Sequence, residues 1–136
     1  MNTQRLAEDL LRDEGLRLKP YRCTAGRLTI GVGRNLDDRG ITESEALLLL
    51  DNDIKSFWGQ LVTSQPWVMQ APEAVQEVLV NLCFNLGLAG LLQFRQTLAF
   101  LQAGRNADAA AEMLRSKWAG QVGARAERLA QKLRAA

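Results

Sequence analysis

The sequence predicts a mainly α member of the α+β class, a succession of helices with one small β-hairpin near its start. Three observations predict it. Apolar residues recur at three- and four-residue spacing along most of the chain. An alternating strand–turn–strand pattern occurs once, between Tyr21 and Gly33. Glycines and prolines fall where the helical patterns stop or start, at Gly15, Pro72, Gly87 and Gly104.

The first helix is predicted to start at a Thr3 cap, with Leu6, Leu10 and Leu11 on one face, and to end at Glu14-Gly15. Glu14 then stands at the negative end of a helix dipole, a place suited to an acid catalyst. After Pro20 the reading is strand Tyr21–Cys23, turn Thr24–Arg27 and strand Leu28–Gly33. Alternation sends Leu28, Ile30 and Val32 to a core. It leaves Thr29, Gly31 and Gly33 on the other face, a flat floor with one hydroxyl, able to hold a sugar ring or a water.

Asp37–Gly40 reads as a turn, in which Asp37 and Asp38 are spare carboxylates. Thr42 and Glu45 form a capping box that opens a helix from about Glu43 to Leu61, with Leu47, Leu50, Ile54, Trp58 and Leu61 in period. Gln65-Pro66-Trp67 breaks the pattern. The next helix runs from Pro72 to Leu86 with Val75, Val78, Leu79, Leu82, Cys83 and Leu86 on its apolar face, stopped by Gly87. Asn81 and Asn85, four apart within it, are read as formers of buried structural hydrogen bonds. Helices are expected over Phe94–Ala103 and Ala107–Lys117, the latter ended by Trp118. A last one, from about Gly123 to Leu133, carries Arg125, Arg128 and Lys132, with Arg134 just beyond.

The 136 residues suffice for one domain with its own core, and 47% hydrophobic with 24% charged residues is an ordinary soluble composition. With no histidine, Ser-His-Asp or Cys-His catalysis and histidine-based metal sites are excluded. Cys23 and Cys83 alone make neither a zinc site nor a disulfide framework, and suit a reducing compartment. No metal or cofactor is implied. Charges interrupt the apolar runs, so no signal peptide or membrane span is expected, and export then requires a helper. The net charge of +2 conceals an asymmetry: residues 1–53 hold ten acids and eight bases, residues 115–134 six bases and one acid. Such a basic helical face suits the anionic cell wall, an acidic membrane surface or nucleic acid. No groove-reading motif or stacking aromatic accompanies it, so nucleic acid is not the expected partner.

The run EGLRLKPYRCTAGRLTIGVG, Glu14 to Gly33, resembles the bacteriophage-type lysozymes, muramidases of the endolysin class. The matching positions are Glu14, Gly15, Arg17, Leu18, Tyr21, Cys23, Gly26, Thr29, Ile30, Gly31 and Gly33. Fainter matches follow at 42–53, 81–94 and 115–128, where Arg115-Ser116-Lys117-Trp118 and Gln121 are similar to the family's closing region. The resemblance implies that Glu14 is the catalytic glutamate, Cys23 takes the place of the usual aspartate, and Thr29 helps position the attacking water. Gly31, Gly33 and Arg34 would then meet substrate, Arg34 standing where the family commonly has histidine. Trp118 would pack in the helical lobe and Arg125 would pair with Glu14 across the cleft.

A lysozyme-like fold is thereby implied: a small lobe of about residues 14–42, a linking helix of about 43–61, and a helical lobe of about 62–136 joined by the N-terminal helix. The implied activity is hydrolysis of β-1,4 bonds between N-acetylmuramic acid and N-acetylglucosamine in peptidoglycan. Glycoside hydrolysis ordinarily pairs two carboxylates. Cys23 can replace one of them only as thiolate, which Arg17, Arg22 and Arg27 nearby would favour. A lytic transglycosylase using Glu14 alone, and a non-catalytic prophage glycan-binding module, are the alternatives. The implied setting is a monomer made in the host cytoplasm, with a holin or equivalent giving access to glycan strands in the periplasm.

Overall fold

A computed structural model describes all residues, 1–136. Helices occupy 71% of the chain beside one three-stranded antiparallel sheet, so the mainly α, lysozyme-like α+β class holds. The chain forms two compact units, Met1–Leu48 and Leu49–Ala136.

In the first unit, α1 (Thr3–Glu14) is capped by Asn2 rather than Thr3: its Oδ1 accepts the Arg5 N–H at 2.9 Å. Gly15 closes the helix by donating its N–H to the Leu11 carbonyl at 2.9 Å. Strand β1 (Arg17–Arg22) is longer than expected, because Pro20 is accommodated on an edge strand where its missing N–H breaks no ladder. The pairing register slips between Arg17 and Tyr21, around that proline. Central strand β2 (Leu28–Gly31) pairs with β1 through Tyr21↔Thr29 and Arg22↔Leu28, and with β3 (Arg34–Asn35) through Thr29↔Asn35 and Ile30↔Arg34.

The expected inward face of β2 is reversed. Thr29 is the one buried residue of this unit, Leu28 and Ile30 are half-buried, and Val32 is 38% exposed. A sheet this small has little to bury a side chain against, and the central strand position shields Thr29. The predicted turn at Asp37–Gly40 is a helical turn, α2 (Leu36–Arg39), because the Asn35 side chain accepts the Asp38 N–H and starts it. The capping box stands as expected: Thr42 N donates to Glu45 Oε1 at 2.9 Å, and Glu45 N donates to Thr42 Oγ1 at 3.1 Å. It opens α3 (Glu43–Ser64), within which the boundary between the units falls.

The second unit holds the core. A 3-10 turn (Pro66–Gln70) precedes α4 (Glu73–Leu92), whose Val75, Val78, Leu79, Leu82, Cys83 and Leu91 are fully buried. Gly87 marks the expected stop, but the stop is a kink. Its φ of 71° and ψ of 165° interrupt the helix, which resumes on the far side. The expectation that charges break up every apolar run fails here, since α4 is long and apolar enough by length and composition to cross a membrane. Its fully buried face, Val75, Val78, Leu79, Leu82 and Cys83, supplies part of that composition.

Helices α5 (Arg95–Gln102), α6 (Asn106–Leu114), α7 (Lys117–Val122) and α8 (Ala124–Arg134) complete the unit. The helix expected over Ala107–Lys117 ends early because the Ser116 side chain caps a new one, accepting the Ala119 N–H at 3.2 Å. Trp118 therefore lies in the first turn of α7. Its indole N–H donates to Asn85 Oδ1 at 2.7 Å, and its ring lies edge-on to Phe94. Arg125 donates from Nε and Nη2 to Asn81 Oδ1 at 3.0 and 2.7 Å. The two asparagines thus make structural hydrogen bonds, though Asn81 is half-buried and Asn85 exposed rather than buried.

Candidate active site

The first unit brings together two pairs of the expected residues. Glu14, the last residue of α1, places its side chain in the space that a side chain at Gly33 would take. A Cβ built at that glycine would meet Glu14 Oε2 at 2.9 Å and its carboxyl carbon at 3.1 Å. Gly33 also has a φ of +65°, a conformation that side-chain-bearing residues rarely adopt, so its backbone favours glycine as well. Glu14 and Gly33 line a cavity of about 420 Å3 with Ala7, Leu10, Leu11 and Val32, so the carboxylate sits beside an apolar wall.

The second pair is Cys23 and Thr29. Cys23 opens a tight turn in which its N–H donates to the Arg27 carbonyl at 3.0 Å and its carbonyl accepts the Gly26 N–H at 2.8 Å. The backbone N–H groups of Arg27 and Ala25, in the same turn, favour its thiolate. They hold the thiol below its ordinary value, with a lesser contribution from the Thr29 hydroxyl. The hydroxyl has one proton and two takers, since Thr29 Oγ1 also donates to the Arg27 carbonyl at 2.9 Å. The carbonyl bond is the one fixed by geometry; donation to sulfur becomes favourable as the thiolate forms.

Arg34 is engaged elsewhere. It makes a two-pronged contact with Glu45, both N···O distances being 2.9 Å, and donates to the Gly40 carbonyl at 3.1 Å. The Arg34 guanidinium and the Thr42 cap hold the Glu45 carboxyl down to about 2. Gly31 lies at the end of β2 with open space where a side chain would stand. Trp118 and Arg125 belong to the second unit, where Asn85 and Asn81 take their hydrogen bonds. Cys83 is buried there and its thiol is pushed up to about 11 by desolvation, so the two cysteines are chemically opposite.

Asp37 and Asp38 are not free carboxylates. Asp37 Oδ2 accepts the Leu28 N–H at 2.7 Å and lies 3.7 Å from the Arg22 guanidinium. Asp38 pairs with Arg27 at 3.5 Å and accepts from the Asn35 side chain at 2.9 Å. Their spacing after Asn35 reads equally well as a turn, so sequence reasoning had no signal for the Leu28 partner.

Comparison with known proteins places the chain in a family. The family model described as phage lysozyme matches residues 12–135. An endolysin of Acyrthosiphon pisum secondary endosymbiont phage 1 is 34% identical, over 79% of this chain and 72% of its own length. Probable T4-type lysozyme 1 of Dictyostelium discoideum is 27% identical, over 90% of this chain and 89% of its own length. The pre-baseplate central spike protein Gp5 of Enterobacteria phage T4 is 28% identical over 91% of this chain, which spans only 26% of that protein. With a family match over nearly its whole length, and with Glu14, Cys23, Thr29 and Gly33 assembled in one small unit, the chain belongs to the phage lysozyme family.

Proposed function

We propose that this protein is an endolysin that hydrolyses the β-1,4 bond between N-acetylmuramic acid and N-acetylglucosamine in the peptidoglycan of its host. Membership of the phage lysozyme family makes it a peptidoglycan-lysing enzyme of the glycosidase type; the bond and the residue roles are the proposal. The observation that carries it is the Glu14 carboxyl, held against Gly33 in the same small unit as the Cys23–Thr29 pair.

Glu14 delivers its proton to the bridging oxygen as that oxygen leaves the anomeric carbon. A water oriented by Thr29 bonds to the same carbon and gives its proton to the Cys23 thiolate. Gly31 and Gly33 offer the sugar ring bare backbone, and Arg34, braced by Glu45, stiffens the floor beside it. Arg125 and Trp118 act as supports within the helical unit. The working partner is the glycan strand, met by a monomer that passes from the host cytoplasm to the wall once a holin or equivalent opens the membrane.

One observation favours a second reading. Asp37 and Asp38 are committed to Leu28, Arg22 and Arg27, which leaves Glu14 without a free carboxylate partner from that stretch. A lytic transglycosylase requires a single acid, the sugar's own hydroxyl replacing water as the attacking group. Mass spectrometry of products from purified peptidoglycan separates the readings. Hydrolysis yields reducing muropeptides with the wild type and none with Glu14→Gln; anhydro-sugar ends signify transglycosylation. Binding without products from either protein leaves a non-catalytic glycan-binding module.

A further inference from the structure

One peptide group, between Arg27 and Leu28, lies at the junction of the site. Its carbonyl accepts two hydrogen bonds, from the Cys23 N–H at 3.0 Å and the Thr29 hydroxyl at 2.9 Å. Its N–H donates to Asp37 Oδ2 at 2.7 Å. The same Asp37 oxygen lies 3.7 Å from the Arg22 guanidinium, which donates to the Gly26 carbonyl at 3.1 Å and so closes over the Cys23 turn. Residues that the proposed mechanism uses therefore hang from one end of a rigid plane whose other end Asp37 holds. A carboxylate on the N–H end also polarises the peptide and strengthens its carbonyl as an acceptor.

We propose that Asp37 is a positioning residue, which sets Cys23 and Thr29 through the Arg27–Leu28 peptide. The inference rests on the catalytic reading of Cys23 and Thr29, but its physical content, the hold of Asp37 on Cys23, is measurable without turnover. Releasing the plane loosens the bond from the Cys23 N–H to the Arg27 carbonyl and lets the turn that favours thiolate open, so thiolate becomes harder to form. The charged groups around that turn are Arg22, Arg27, Asp37 and Asp38. Coulomb interaction alone predicts the opposite sign, because removing the Asp37 charge favours thiolate. The direction of change therefore separates positioning from simple electrostatics.

The test is the pH dependence of iodoacetamide alkylation of the full-length protein, set beside peptidoglycan hydrolysis. Cys83 is fully buried, so the label reports Cys23. In Asp37→Ala the alkylation midpoint moves to higher pH and kcat falls roughly tenfold or more with KM little changed. In Asp37→Asn, which keeps an oxygen for the Leu28 N–H but loses the charge, the midpoint stays at or below that of wild type and hydrolysis stays near it. A midpoint that is unchanged or lower in Asp37→Ala overturns the proposal, as does an Asn variant as impaired as the Ala variant. A raised midpoint with unaltered hydrolysis leaves Asp37 positioning the thiol and removes Cys23 from catalysis, so failure of the two readings is distinguishable. Should Asp37→Ala not fold, amide hydrogen exchange of the wild type decides: a Leu28 amide exchanging as fast as an unstructured one overturns the proposal.

Discussion

The Glu14 carboxyl group stands over the side of Gly33 where a side chain would project, so close that a single added carbon at position 33 would meet Oε2 at 2.9 Å. Gly33→Ala therefore has two consequences. The positive φ costs about 1–2 kcal/mol of stability. The methyl also displaces the proposed acid, lowering kcat on peptidoglycan by roughly a hundredfold. Gly40→Ala is the control, because Gly40 shares the positive φ but has open space around it. It should lose similar stability in thermal unfolding and keep its activity. Equal activities for the two variants would show that the contact with Glu14 does not matter.

Cys23 as proton acceptor makes a prediction about pH. The rate should rise as the thiol ionises, along a limb lying below the ordinary thiol value because the Arg27 and Ala25 N–H groups favour thiolate. Cys23→Asp should retain activity with that limb moved to lower pH, as a carboxyl ionises earlier than a thiol. Cys23→Ser, whose hydroxyl stays protonated, should lose activity by two orders of magnitude or so. A Ser variant of full activity would remove Cys23 from the mechanism. The same thiolate should make wild-type activity sensitive to mild peroxide and to alkylation, and Cys23→Asp insensitive.

The sequence was most legible where one local rule governs an element. The Thr42–Glu45 capping box, the α1 stop at Gly15 and the apolar face of α4 all follow from spacing alone. The inward face of β2 was misread because alternation says which residues share a side but not which side is covered. The α6–α7 break at Arg115-Ser116 was missed because Ser116 prefers a cap to a helix interior, and the apolar period on either side conceals the change of axis. At the site, Glu14 and Thr29 stood out through the family motif. The Leu28–Asp37 bond did not, since it joins residues nine apart through a backbone N–H that no residue type advertises.

Trp118 gives a stability test confined to the helical unit. Trp118→Phe keeps most of the packing against Phe94 but loses the indole donor to Asn85. The expected loss is roughly 1 kcal/mol, because exposed Asn85 can turn to water instead. Trp118→Ala removes the ring from a site only 6% exposed and should cost about 3–5 kcal/mol. Urea unfolding of the two variants checks the separation. Equal losses would mean that the hydrogen bond, and not the ring, anchors α7.

Glu45 sets the acid behaviour of the small unit. Paired with Arg34 and the Thr42 cap, its carboxyl is held down to about 2, so the folded state favours the ionised form. The resulting stabilisation is fully present above the ordinary carboxyl value of about 4.3 and is lost as pH falls through the depressed one. Both side chains are partly exposed, at 26% for Arg34 and 40% for Glu45, so solvent screening keeps the contribution modest. Glu45→Gln should unfold at a lower temperature than wild type at pH 7, and the two midpoints should converge as pH is lowered from about 4.3 toward 2. Thermal unfolding followed by circular dichroism across that range checks it. A gap that survives unchanged below pH 2 would assign the loss to packing around Thr42 rather than to the charge on Glu45.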